Sequence, residues 1–131
     1  MESKDLKIAR ITKPTQKMID DPLKETNVVY IPHNKLTEMA KANPRGYLDD
    51  CCAIAETIHG PDHAAKLKEG VFRFLKTELG WTKNHKPCLR HMIVEVRREN
   101  GLKVTDYRIF NGMDLQVTEC WLGDKLRKGG E

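Results

Sequence analysis

No apolar run in this 131-residue chain approaches the roughly 18 residues of a membrane-spanning helix. No signal-peptide pattern opens it. No phosphate-binding loop, catalytic motif or complete set of metal ligands stands out. These absences argue against an embedded or exported protein and against the common hydrolase and nucleotide-triphosphatase chemistries. Cysteine is sparse: Cys51, Cys52, Cys88 and Cys120. Adjacent Cys51 and Cys52 are poor partners for a mutual bridge. With no export signal, the expectation is reduced thiols in a cytosolic protein.

What the chain does contain is enough apolar sequence for one domain with a real core, needing no disulfide or metal staple. The expected domain is the whole chain, 1–131, with 1–5 and 124–131 mobile. Net charge is +4 and its distribution is uneven. Residues 1–60 hold nine basic and nine acidic groups, whereas residues 61–131 hold fourteen and ten. The bias is mild and does not by itself define a nucleic-acid-binding protein.

The strongest local signal is Asn100-Gly101, which tolerates the positive φ values of a tight hairpin turn. A two-residue turn there pairs Glu99 with Leu102 and, on one shared face, Val96 with Thr105, Val94 with Tyr107 and Met92 with Ile109. The face so formed is apolar or β-branched throughout. The other face, with His91, Ile93, Glu95, Arg97, Val104, Asp106, Arg108 and Phe110, is mixed and faces water. A second turn at Asn111–Met113 with a bulge continues the pattern into Leu115 and Val117. The stretch from Leu89 to Leu122 therefore reads as a three-stranded antiparallel meander.

Upstream, 7–11 reads as an edge strand, 13–26 as a loop with one helical turn, and 27–31 as a strand stopped by Pro32. Asn34 caps a helix over 35–42. Leu48, Cys51, Cys52, Ala55 and Ile58 make the apolar stripe of a second helix over 47–59. Ala64, Leu67, Val71, Phe74 and Leu75 predict a third and longest helix from Pro61 or Asp62 to Leu79, closed by Gly80. The expected architecture is α+β: a meander plus one or two N-terminal strands, packed on two to three helices.

Candidate functional residues centre on the connector 81–91. Trp81, Lys83, His85, Lys86, Arg90 and His91 bring three permanent cations, two histidines and a ring, with no acid. Unopposed cations suit phosphate, and a ring can stack on a base. The plainer reading is a solvated connector whose Trp81 packs under the long helix. Arg97, Arg98, Lys103 and Arg108 extend the patch across the sheet, but Glu95, Glu99 and Asp106 offset much of their field. His85, Cys88 and His91 have metal-compatible spacing yet supply too few ligands, so no metal and no cofactor is expected. Glu56 and His59 share the Glu-x-x-His spacing of di-iron bundles without the carboxylates that such sites need. Cys52 near His59 is a weak nucleophile pair, because a thiol on an apolar stripe is inert.

No catalytic residue is assigned. The expectation is a small cytosolic regulatory or inhibitory binding protein, of the accessory kind that phages and mobile elements carry. It would engage an acidic protein patch or nucleic acid through the basic connector and the open sheet face, alone or as a homo-oligomer. The alternative is a nucleotide or small-anion binder, an enzyme among the options, using Lys83, His85, Arg90 and Arg108.

Overall fold

The computed structural model describes residues 5–81 and 84–111. In chain order the elements are β1 (Leu6–Arg10), α1 (Lys13–Met18), β2 (Val28–Ile31), α2 (His33–Ala42), α3 (Tyr47–His59), β3 (His63–Lys68), β4 (Val71–Trp81), β5 (Pro87–Arg98) and β6 (Leu102–Asn111). The strands form one six-stranded sheet in the order β1-β2-β6-β5-β4-β3. All neighbours are antiparallel except β2 and β6, which run parallel. The α+β class holds, but the sheet is larger than a three-stranded meander with one or two additions. The expected third strand after Asn111 lies outside the described residues.

The largest correction falls on residues 61–79, which are a hairpin and not a helix. The stripe from Ala64 to Leu75 fits a helical period, and that period alone is ambiguous over a short apolar run. Two features favour strands. Gly70 takes φ +78° in a two-residue turn, pairing Lys68 with Val71. Val71-Phe72-Arg73-Phe74-Leu75 is β-branched and aromatic, a composition that packs well on a pleated surface. Phe72 and Phe74 alternate onto one face and are fully buried. Leu79, expected in the helix stripe, is 65 % exposed.

The β5–β6 hairpin forms where expected, with Asn100 at φ +52° and Gly101 at φ +102°. Val94 faces Tyr107 and Met92 faces Ile109. Nearer the turn the register differs. Arg98 pairs with Leu102, so the loop has three residues, and Val96 meets Val104 because Thr105 is an unpaired bulge residue. One slipped residue exchanges the two faces of a strand. The bulge moves Leu102 and Val104 onto the core side while leaving Tyr107 and Ile109 there. Val104, expected on the open face, is 1 % exposed.

All of this apolar surface meets α3, which lies across β1, β5 and β4. Its buried residues are Cys51, Ile54, Thr57 and Ile58. The stripe is thus rotated from the expected one: Leu48 and Cys52 are exposed. Tyr47, Cys51, Ile54 and Ile58 have the same helical spacing and place an isoleucine inward where the other stripe has a cysteine. Thr57 satisfies its buried hydroxyl by donating to the Ala53 carbonyl at 2.8 Å. Asn34 is not a cap. α2 starts at His33 after Pro32, and the Asn34 Oδ1 accepts only from the neighbouring Lys35 N–H.

The segment between α1 and β2 closes the remaining edge of the core with Ile19 and Leu23. Leu23 has φ +46°, unusual for a branched side chain. Its N–H donates to Asp21 Oδ1 at 3.0 Å, which holds the turn. The other Asp21 oxygen accepts from Arg98 at 2.9 Å and Lys66 at 3.5 Å, and Arg98 also reaches Glu69. Burial pushes the Asp21 pKa up, but the Leu23 N–H and the two cations outweigh it and leave the group below its ordinary value. One carboxylate therefore ties the crossing segment to two hairpins.

The strand assignment separates two leucine-sized truncations that a helix would have made similar. Phe74→Ala should cost about 3–5 kcal/mol. Leu79→Ala should stay within about 0.5 kcal/mol. Urea unfolding checks both. A large loss at Leu79 would restore the helix.

Candidate functional site

The connector marked in the sequence is the far end of a β-ribbon. β4 and β5 pair continuously from Val71↔Arg97 to Trp81↔Pro87. β3 accompanies them only as far as His63↔Leu75, and β6 only as far as Arg90↔Asn111. Past those points no other described strand flanks the ribbon. Asp62 marks its base: the carboxylate accepts the Thr77 N–H at 2.7 Å, taking the edge donor that the next strand would have used.

Among the described residues of the ribbon, Lys76, Lys86 and Arg90 stand with one acid, Glu78, which pairs across the strands with Arg90. His85 sits in the turn region at φ +60°, exposed. Lys86 is exposed and Arg90 half-buried. Lys83 and the Trp81 side chain lie outside the described residues. The backbone of Trp81 is in β4, so it does not end a helix as expected.

The remaining candidates divide by face. Arg90 falls on the face of Met92 and Val94, beyond the helices. His91, Ile93, Glu95 and Arg97 take the face opposite the helices, where Ile93, Leu75 and Val71 are buried, and Arg108 stands across from Ile93 there. Arg90 and Arg108 are therefore not gathered at one point. His91 is half-buried, with Nδ1 2.7 Å from Thr77 Oγ1. Among the described residues no three His, Cys, Asp or Glu side chains form a group able to hold a metal. Glu56 and His59 are exposed, and burial with Asp50 alongside pushes the Cys51 thiol up, away from the reactive thiolate.

On the open face the Glu95 carboxylate accepts Arg73 at 3.2 Å through one oxygen, and Arg97 Nε at 3.2 Å and Thr105 at 2.9 Å through the other. Burial pushes its pKa up, and the Thr105, Arg97 and Arg73 hydrogen bonds pull it further down, to a net value below an ordinary glutamate. Two guanidiniums on one carboxylate leave a cationic cluster in the middle of the sheet. Sequence reading set these charges against one another; the bulge at Thr105 adds the hydroxyl that completes the Glu95 shell. Lys7 and Tyr30, which sequence reading left out, come to this same face beside Lys103.

Two hollows flank the crossing segment. One, of about 250 Å³, is lined by Asp21, Leu23, Lys24, Glu25, Arg98 and Gly101. The other, of about 450 Å³, is lined by Lys13, Gln16, Lys17, Asp20 and their neighbours. Of the residues chosen from the sequence, only Arg98 lines either hollow. Arg98 in the first hollow is committed to Asp21 and Glu69. Compared with known proteins, the chain matches no family model, no curated protein and no solved structure.

The Glu95 cluster fixes a pH response. Its depressed pKa means that the stabilisation is present above about pH 4.5, the ordinary glutamate value, and is lost as pH falls through the lower folded value. Glu95→Gln should flatten the acid limb of the stability curve between about pH 5 and 3. Glu95→Ala at neutral pH should cost about 1–3 kcal/mol, since it removes the carboxylate that accepts from Arg73, Arg97 and Thr105. Urea midpoints across that range test both, and an acid limb identical to wild type would remove Glu95 as its source.

Proposed function

We propose that this protein is a small regulatory or inhibitory binding module that engages an anionic macromolecule through its β4–β5 ribbon and the adjoining open sheet face. The supporting observation is the ribbon itself: among the described residues β4 and β5 have no third strand beside them past Glu78↔Arg90, and one acid stands among the described residues from Lys76 to His91. A two-stranded ribbon can approach a partner from both faces, and its cations add to the local potential. Gly80 sits midway, where the absence of a side chain lets another backbone come close. No helix among the described residues is long and apolar enough to cross a membrane.

Replacing Lys86 and Arg90 by glutamine tests the reading. Retention on immobilised heparin should fall, and the salt dependence of binding should flatten by about one unit for each lost anion contact. Circular dichroism and melting temperature should stay near wild type, because neither side chain is in the core. Elution at the wild-type salt concentration would take the ribbon out of the function.

A further inference from the structure

The sheet register places one row of residues across all six strands on the open face. Lys7 pairs with Tyr30, Tyr30 with Lys103, Lys103 with Arg97, Arg97 with Val71 and Val71 with Lys68. These come from β1, β2, β6, β5, β4 and β3 in spatial order, so the row runs perpendicular to the strands. It holds four cations and one phenol ring, with no acid in it. Lys7 and Lys68, at the two ends, are exposed. Arg97 is 40 % exposed and uses its Nε on Glu95, leaving the outer edge of the guanidinium. Lys103 is held by Asp5 at 3.7 Å, a long contact that a phosphate can displace.

Resting on the anion-binding reading above, we infer that this row is a track for single-stranded nucleic acid, with the backbone along the cations and a base on Tyr30. Three observations select this occupant. Six strands at the usual spacing span about 24 Å, the reach of a short oligonucleotide and about twice the width of a B-form major groove. The face is therefore too broad to enter a duplex groove. A ring beside lysines and an arginine offers a stacking surface, which requires an unpaired base. An acidic protein patch would use the cations but has no need of the ring in the row. The described helices pack against the opposite face of the sheet.

The test is fluorescence anisotropy with a labelled single strand of roughly 12 nucleotides and with the duplex of the same sequence. Wild type should bind the single strand more tightly. Tyr30→Ala should weaken single-strand binding about 5- to 150-fold, whereas Tyr30→Phe should retain it. Lys7→Gln with Lys68→Gln changes only exposed side chains. It should lower the salt slope by about 0.7 per lost phosphate contact, even should Tyr30→Ala fail to fold. Equal affinity for both oligonucleotides, untouched by the Tyr30 and lysine changes but weakened by Lys86→Gln and Arg90→Gln, overturns the track and leaves the ribbon standing. Binding to heparin with no binding to either oligonucleotide also overturns the track alone. Loss of no affinity in any variant, ribbon included, overturns both.

Discussion

A single extra residue in β6, Thr105, is the constraint on which the sheet depends. Without it, Leu102 and Val104 would face water whenever Tyr107 and Ile109 faced the helices. With it, four apolar residues of one strand reach the core and the spare hydroxyl is spent on Glu95. β6 is also the strand to which β2 attaches, at Val29↔Leu102 and Tyr30↔Lys103. A different phase in β6 would turn β2 and β1 over as well. The two-faced character of the molecule thus follows from one local irregularity.

That two-faced character separates the work of the two surfaces. The helix side is apolar and closed, with Phe72, Phe74, Ile54 and Ile58 at its centre and the Asp21–Arg98 tie at its rim. Arg98 also lies over the Phe72 ring at 5.6 Å, so the rim charge is packed as well as paired. The other side keeps its charges in hydrogen-bonded sets and is where binding is assigned. The Glu95 set on that side adds to stability without entering the central apolar cluster.

Local signals in the sequence were legible and distant ones were not. The turn at Asn100-Gly101 and the pairs Val94–Tyr107 and Met92–Ile109 could be read because turn chemistry and alternation act over a few residues. Phe74 was rightly placed in the core even though its element was misread, since burial follows from its size in either structure. Residues 61–79 were misread because Ala64, Leu67, Val71 and Phe74 satisfy a helical period, while the pairing of β4 with β5 that decides the matter is a tertiary fact. The bulge left no mark in the pattern beyond a slightly better apolar face for Leu102 and Val104. The cations of the ribbon were visible as a cluster, but the face each one takes depends on register. The row from Lys7 to Lys68 was beyond reach, because its members are scattered over six strands and only the sheet order brings them into line.

The parallel contact between β2 and β6 has a consequence for how the molecule is made. β1 and β2 are synthesised early, yet their place in the sheet is beside a strand that emerges after both later hairpins. Until then Val29 and Ile31 have no neighbour on one side, and the β1–β2 pair alone is too small to be stable. The four-stranded run from β3 to β6 contains mostly local contacts and can assemble first, with α3 waiting above it. Docking of the early strands onto β6 then closes a long chain loop, the entropically slow kind of contact. Native strand order is therefore set late in folding, and a nascent chain held short of Leu102 presents an unpaired β2 edge.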